Sequence, residues 1–191
     1  MNITLPDRVK LPFEFDAKQL KQNLDLITSA QWTDHFVAEH YQGDWQAIAL
    51  RCDANAQHPI KMIYSDPTST EFKNTPYLQQ APYIQAVLNH FRCPILNVRL
   101  MKLAAQSNVL EHVDHDLDSE HGKARLHIPI TTNANIDFRL NSHSVPMHAG
   151  ECWYLRLSDP HSVSNASAED RVHLVIDAEI NLWLATQLKL Q

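Results

Sequence analysis

RVHLVIDAEI, residues 171–180, is the last of six short β-rich runs that decide the fold of this chain. Its apolar residues Val172, Leu174 and Ile176 recur at every second position, which is the period of a β-strand. The other five runs are ILNVRLMKLAA (95–105), SNVLEHVDH (107–115), ARLHIPITT (124–132), ANIDFRL (134–140) and GECWYLRL (150–157). Turn-forming Asn, Asp, Ser and Pro separate most of these runs, so the pattern predicts an antiparallel barrel or a double-sheet roll.

Two amphipathic helices are predicted before the β-rich half. In DAKQLKQNLDLITSA (16–30) the apolar residues are spaced by four and three, and Asp16 is a suitable N-cap. YLQQAPYIQAVLNHF (77–91) has a similar stripe, and its Pro82 fits the first turn of a helix, where a missing N–H costs little. These stripes predict helices that pack against the strands.

We predict a single, mainly β domain over residues 1–191, because no linker or internal repeat divides the sequence. A helical and mixed part (1–94) is expected to pack on a β-roll core (95–180) that holds the functional site. Within the first part, WQAIALRC (45–52) predicts a strand. Residues 53–76 contain three prolines and predict mostly loop.

Composition argues against several functional classes. Apolar residues make up 44% of the chain and charged residues 20%, as in ordinary globular proteins. The net charge of −6 gives no reason to expect nucleic acid as a partner, and no apolar window is long enough to predict a membrane span. Only three glycines are present, so a glycine-rich phosphate loop is not expected. Cys52, Cys93 and Cys152 form no CxxC motif, which favours a reducing, cytoplasmic location.

Histidines are concentrated in the β-rich half, where HVD at residues 112–114 is followed by His161, 47 residues after Asp114. Residues i and i+2 of a strand point to the same face, so His112 and Asp114 can aim together into the mouth of the roll. His161 can return on a neighbouring strand. Two imidazoles and one carboxylate on one side of a metal leave its other positions open, which suits non-haem Fe(II).

Two arginines in the same half are candidates for binding a small dicarboxylate. Arg171 lies ten residues after His161, and its planar guanidinium matches a carboxylate bidentately. Arg125 and His127 form another i, i+2 pair on one face of a predicted strand. The β-rich half therefore offers a metal triad and an anion site.

Residues 32–177 resemble the aspartyl/asparaginyl β-hydroxylase family of 2-oxoglutarate-dependent oxygenases. The matching segments are HYQGDWQAIALR (40–51), LEHVDHD (110–116), ARLHIPITTN (124–133), MHAGECWYL (147–155), PHSVSN (160–165) and RVHLVID (171–177). The resemblance implies a double-stranded β-helix, a cupin-like jelly roll, which agrees with the strand pattern.

The resemblance also implies the cofactors and their ligands. Fe(II) is expected at His112, Asp114 and His161, with 2-oxoglutarate and O₂ as cosubstrates and ascorbate as a supporting reductant. Arg171 aligns with the arginine that binds the far carboxylate of 2-oxoglutarate. The residues expected to line the rest of the cosubstrate site are Arg125 and His127.

The implied reaction is hydroxylation of an amino-acid C–H bond, with release of succinate and CO₂. The compact chain favours a free amino acid or a small derivative as substrate, with an Asp or Asn side chain in a peptide as the alternative. Residues 53–76 and 115–123 are expected to form a lid over this substrate. His115 and Asp116 are expected to be solvated rather than to act as ligands.

Two other functional classes remain open at this point. One is a non-catalytic β-roll that binds a metal or a small acid. The other is a zinc hydrolase of the metallo-β-lactamase type, whose HxHxDH signature is partly matched by His112, Asp114 and His115, although position 110 is leucine.

Overall fold

The computed structural model describes residues 6–27, 31–115 and 118–189. Its strands, β1 to β13 in chain order, are Arg8–Glu14, Thr33–Asp34, Tyr41–Gln42, Trp45–Asp53, Phe72–Asn74, Ile95–Leu103, Asn108–His112, Lys123–Thr131, Ile136–Leu140, His143–Ser144, Glu151–Leu155, His161–Asn165 and Arg171–Glu179. The helices α1 to α5 are Ala17–Leu26, Pro59–Ile63, Pro76–Gln79, Pro82–His90 and Leu182–Gln187. A 3-10 turn spans Ala38–His40. No helix within these ranges has the length and apolar character needed to cross a membrane.

The strands form two antiparallel sheets that pack face to face. The larger sheet has the order β1-β11-β8-β13-β6-β4-β2, with β5 beside β4, and the smaller has the order β10-β9-β12-β7-β3. One buried cluster joins Met101 and Leu103 of the larger sheet to Phe138 and Val163 of the smaller. The predicted double-sheet roll is therefore confirmed.

Helices cover the opposite face of the larger sheet. Leu20 of α1 and Ile84 of α4 belong to a second buried cluster with Leu126 of β8 and Leu174 of β13. Because side chains alternate along a strand, residues such as Arg171 on β13 face the smaller sheet instead. The strand period thus separates a helix-covered core from the space between the sheets.

The helix predictions agree with the structure where it describes them. The Asp16 side chain caps α1 by accepting hydrogen bonds from the backbone N–H groups of Lys18 and Gln19. Residues 28–30 of the predicted segment lie outside the described residues. The second predicted helix is α4, which begins at Pro82, and the strand predicted at 45–52 is β4.

Residues 53–76 are mostly loop, as predicted, with two short regular elements. They include α2 and β5. Pro59 occupies the first turn of α2, and His58 caps it by accepting from the N–H of Ile60 at 3.3 Å. The prediction that residues 1–191 form a single domain, with a helical and mixed part ending at residue 94, stays a prediction. The structure adds that β1 and β4, from the first part, are strands of the larger sheet.

The side chain of Asn165, at the end of β12, connects three segments of the chain by hydrogen bonds. Its buried side-chain amide donates to the carbonyl oxygens of Leu103, Ala104 and Glu169 at 3.1, 2.9 and 2.8 Å. Asn165→Ala leaves these acceptors without that partner, and we expect it to lower the free energy of unfolding by about 2–4 kcal/mol in urea denaturation. Asn135→Ala, at an exposed position, is the control, and equal losses in both variants would contradict this role.

Candidate metal centre

The three predicted metal ligands come together at one end of the smaller sheet. His112 on β7 and His161 on β12 are register partners, and their ring centroids are 4.3 Å apart. We expected Asp114 to lie in the same strand as His112. Strand β7 ends at His112, however, and Asp114 lies just beyond it. The Asp114 backbone N–H donates to the carbonyl of Leu157 at 2.7 Å, and this bond holds the residue near the histidines.

The donor atoms of His112, Asp114 and His161 have the spacing of a metal site. One nitrogen from each ring and one carboxylate oxygen all lie within 4.8 Å of one another. No other group of three such ligands occurs in residues 6–27, 31–115 and 118–189. His115 is exposed and is not in this group, so it does not join His112 and Asp114 as the partial zinc-hydrolase signature would require. Asp116 lies outside the described residues.

Hydrogen bonds to backbone carbonyls set the tautomers of both histidines. Nδ1 of His112 lies 2.8 Å from the Leu110 oxygen, and Nδ1 of His161 lies 3.0 Å from the Asp159 oxygen. Because a carbonyl oxygen can only accept, Nδ1 of each neutral ring carries the proton and Nε2 presents a lone pair. This arrangement orients an imidazole for metal binding.

Charge and burial prepare the same groups for a cation. Burial lowers the pKa of His161 to about 4, so this imidazole is unprotonated at neutral pH. Burial alone would raise the pKa of Asp114, but in the metal-free protein a protonated His112 and the positive charge of Arg125 outweigh it and lower that pKa. An ionised carboxylate with a neutral imidazole fits a divalent metal.

The triad opens into a cavity of about 430 Å³ between the two sheets. One wall is aromatic, with His35 stacked on Trp45 at 3.6 Å between ring centroids, and with Phe36 edge-on to Tyr64 at 5.4 Å. Another wall carries charged side chains. The residues of the first predicted lid segment that line the cavity are Tyr64, Ser65, Asp66, Pro67, Ser69 and Phe72. His115 and Lys123 of the second segment also line it, and residues 116 and 117 lie outside the described part.

Arg171 is a buried cation that faces this cavity, and no carboxylate of the described residues pairs with it. The residue is 4% exposed, and its Nη2 donates to Nδ1 of His173 at 2.8 Å. Within the described part of the chain its Nε has no hydrogen-bond partner, and burial lowers the pKa of the guanidinium with no carboxylate there to oppose the effect. A carboxylate entering the cavity would supply the missing charge.

His127 lies beside His173 in the same buried cluster. Its Nδ1 is 3.4 Å from Nδ1 of His173, and its Nε2 has no hydrogen-bond partner among the described residues. Burial and the nearby charge of Arg171 hold the pKa of His127 well below its usual range, so the ring is neutral. His127 and Arg171 thus both lie next to His173 and line the cavity, and the predicted role of His127 at the cosubstrate stays a prediction.

Arg125 is held differently from Arg171. Its Nη1 donates to Oδ2 of Asp114 at 2.6 Å, while its Nε and Nη2 donate to the two oxygens of Asp177 at 2.7 and 3.0 Å. The guanidinium thus bridges two carboxylates of the chain. Its predicted contact with 2-oxoglutarate stays a prediction.

Sequence reasoning missed Arg99 and Asp177, which also line the cavity. Arg99 on β6 is buried, and it donates through Nη1 to the Ile63 carbonyl at 2.9 Å and through Nη2 to Asp177. A usable signal was present, since Asp177 lies at even spacing from Arg171 and therefore on the same face of β13.

Comparison with known proteins identifies relatives of this chain. A model of the family described as aspartyl/asparaginyl beta-hydroxylase matches residues 14–180. The chain is 27% identical to "L-proline cis-4-hydroxylase" of Rhizobium meliloti (strain 1021) over 169 residues, which are 87% of this chain and 58% of that protein. It is 24% identical to "L-proline cis-3-hydroxylase 1" of Streptomyces sp over 170 residues, covering 86% and 57%. The chain thus spans rather more than half the length of these two relatives.

A solved structure supports the fold. An oxidoreductase of the 2OG-Fe(II) oxygenase family from Burkholderia pseudomallei superimposes with a TM-score of 0.57, at 14% identity, over 91% of this chain and 85% of that one. At this identity the likeness concerns the fold alone. The double-stranded β-helix expected from the sequence is confirmed.

Proposed function

The chain belongs to the aspartyl/asparaginyl β-hydroxylase family, and on this basis we propose that it is an Fe(II)- and 2-oxoglutarate-dependent dioxygenase that hydroxylates an amino-acid C–H bond. One observation carries the proposal. The cavity that contains the group His112, Asp114 and His161 also contains Arg171, a buried guanidinium without a carboxylate partner among the described residues. A metal with open positions and a cation for a dicarboxylate are the two requirements of this chemistry.

The proposed metal ligands are Nε2 of His112, Nε2 of His161 and one oxygen of Asp114. Bound there, Fe(II) supplies the redox chemistry that uses O₂ to oxidise a C–H bond. Asp114 contributes the single negative charge of the ligand set. Three protein ligands would leave further coordination positions of the metal open to cosubstrates.

The proposed cosubstrate site lies at Arg171. Its guanidinium binds the far carboxylate of 2-oxoglutarate, and the bond to His173 fixes its orientation. His127 lines this site as a neutral ring, and its Nε2 has no hydrogen-bond partner in the described ranges. Arg125 is included as predicted, although its present contacts are to Asp114 and Asp177.

The substrate we favour is a free amino acid or a small derivative. The names of the two relatives give L-proline as their substrate. The aromatic wall of His35, Phe36 and Tyr64 suits a small apolar side chain, and the 430 Å³ cavity is near the lower end for ligand pockets. An Asp or Asn side chain of a peptide is the alternative. A cytoplasmic location is proposed from the three free cysteines.

Succinate formation from 2-oxoglutarate tests the proposal. Purified protein with Fe(II), ascorbate and O₂ is assayed alone, with each of the twenty amino acids, and with short Asp and Asn peptides. We expect iron-dependent succinate that one member of the panel stimulates, with the hydroxylated product identified by mass spectrometry. Protein that binds iron but forms no succinate with any member would contradict the proposal and favour a non-catalytic β-roll.

A further inference from the structure

We propose that Asp177 is a positioning residue that restrains Arg125, so that Asp114 keeps one carboxylate oxygen for the metal. The inference rests on the proposed metal site. It concerns a residue outside the ligand triad and outside the cosubstrate contacts described above.

Asp177 is the centre of a buried hydrogen-bond network. It lies on β13 and is 2% exposed. It accepts hydrogen bonds from Nε and Nη2 of Arg125, from Nη2 of Arg99, and from Oγ of Ser65 at 2.7 Å. These donors belong to β8, β6 and the segment after α2, so the carboxylate is fixed from three directions.

The network determines how Arg125 meets Asp114. Asp177 uses the Nε and Nη2 groups of the guanidinium, which leaves Nη1 for Oδ2 of Asp114 at 2.6 Å. The other oxygen, Oδ1, lies 3.5 Å from Nε2 of His112, on the side of the proposed metal. Oδ2 of Asp114 therefore binds Arg125, and Oδ1 is left for the metal.

Without Asp177 this division is lost. An arginine prefers to bind a carboxylate with two parallel N–H···O bonds. A released Arg125 can turn and bind both oxygens of Asp114, and it then competes with the metal for Oδ1. The expected consequence is weaker metal binding by a protein that still has all three ligands.

Metal affinity tests the proposal without requiring turnover. Co(II), Mn(II) and anaerobic Fe(II) are titrated into the metal-free protein, and the Co(II) absorption spectrum is recorded. We expect Asp177→Asn to raise the metal Kd by about 10- to 100-fold. Asp137→Asn, which removes an exposed partner of Arg139, is the matched control and is expected to leave Kd unchanged.

A double variant tests whether Arg125 causes the expected rise in the metal Kd. Arg125→Gln combined with Asp177→Asn removes one charge of each sign and also removes the competing guanidinium. We expect its Kd to return to within about threefold of the wild type, a strong non-additivity. A purely structural role for Asp177 would leave the double variant as weak as the single one.

Three outcomes would overturn the inference or its premise. An unchanged Kd in folded Asp177→Asn overturns it, and so does a double variant that binds more than tenfold more weakly than the wild type. If Asp177→Asn does not fold, the comparison of the double variant with the wild type still tests the inference. Wild-type protein that binds no metal would instead refute the proposed function, and the inference with it.

Discussion

Asp114→Ala is expected to lower Fe(II) affinity by at least about 100-fold and to abolish succinate formation. Asp114 supplies the only negative charge in the proposed ligand set, so its loss leaves a divalent cation bound by two neutral imidazoles. The substitution also removes the Asp114 partner of Arg125, whose Nη1 now lies 2.6 Å from Oδ2 of that carboxylate. The remaining positive charge disfavours a cation at the same place. Anaerobic Fe(II) titration and the succinate assay measure the two effects.

Asp137→Ala provides a control for loss of a carboxylate. Asp137 forms an exposed ion pair with Arg139, and we expect its removal to change neither metal affinity nor turnover. Circular dichroism of the metal-free proteins distinguishes loss of a ligand from loss of the fold. If Asp114→Ala bound Fe(II) as the wild type does, the assignment of this residue to the metal would be wrong.

Local periodicity was sufficient to predict the roll and to pair neighbouring candidate residues within a segment. A spacing of two relates His112 to Asp114 and Arg171 to His173, and each pair is close in the structure. The exact placement of Asp114 was not predictable in the same way. It depends on a backbone hydrogen bond to Leu157, a contact 43 residues away in sequence that no local pattern contains.

The pairing register between strands determines side-chain contacts that local sequence patterns did not predict. Arg125 and His127 share a face of β8, so a common role was a reasonable expectation. In the sheet, however, Arg125 lies opposite Asp177, whereas His127 lies opposite Val175. The cross-strand carboxylate therefore binds the arginine and not the histidine. Pairing between β8 and β13 is a long-range property, and a one-residue shift would have changed these partners.

Arg171→Met is expected to raise the KM for 2-oxoglutarate by about 100-fold, while kcat at saturating cosubstrate falls much less. A charge-assisted bond of about 3 kcal/mol corresponds to this factor. The same substitution is expected to raise the melting temperature of the protein without cosubstrate. Methionine fills much of the same space, and it removes a buried cation that has no carboxylate partner in the described residues.

Thermal shift measurements separate these two consequences of one side chain. Saturating 2-oxoglutarate should stabilise the wild type because it binds the folded state, and this shift should be nearly absent in Arg171→Met. Arg139→Met, at an exposed ion pair, should retain both the shift and the wild-type KM. An unchanged KM in Arg171→Met would exclude Arg171 from cosubstrate binding. A lower melting temperature without cosubstrate would mean that the bond to His173 at 2.8 Å outweighs the cost of burying the charge.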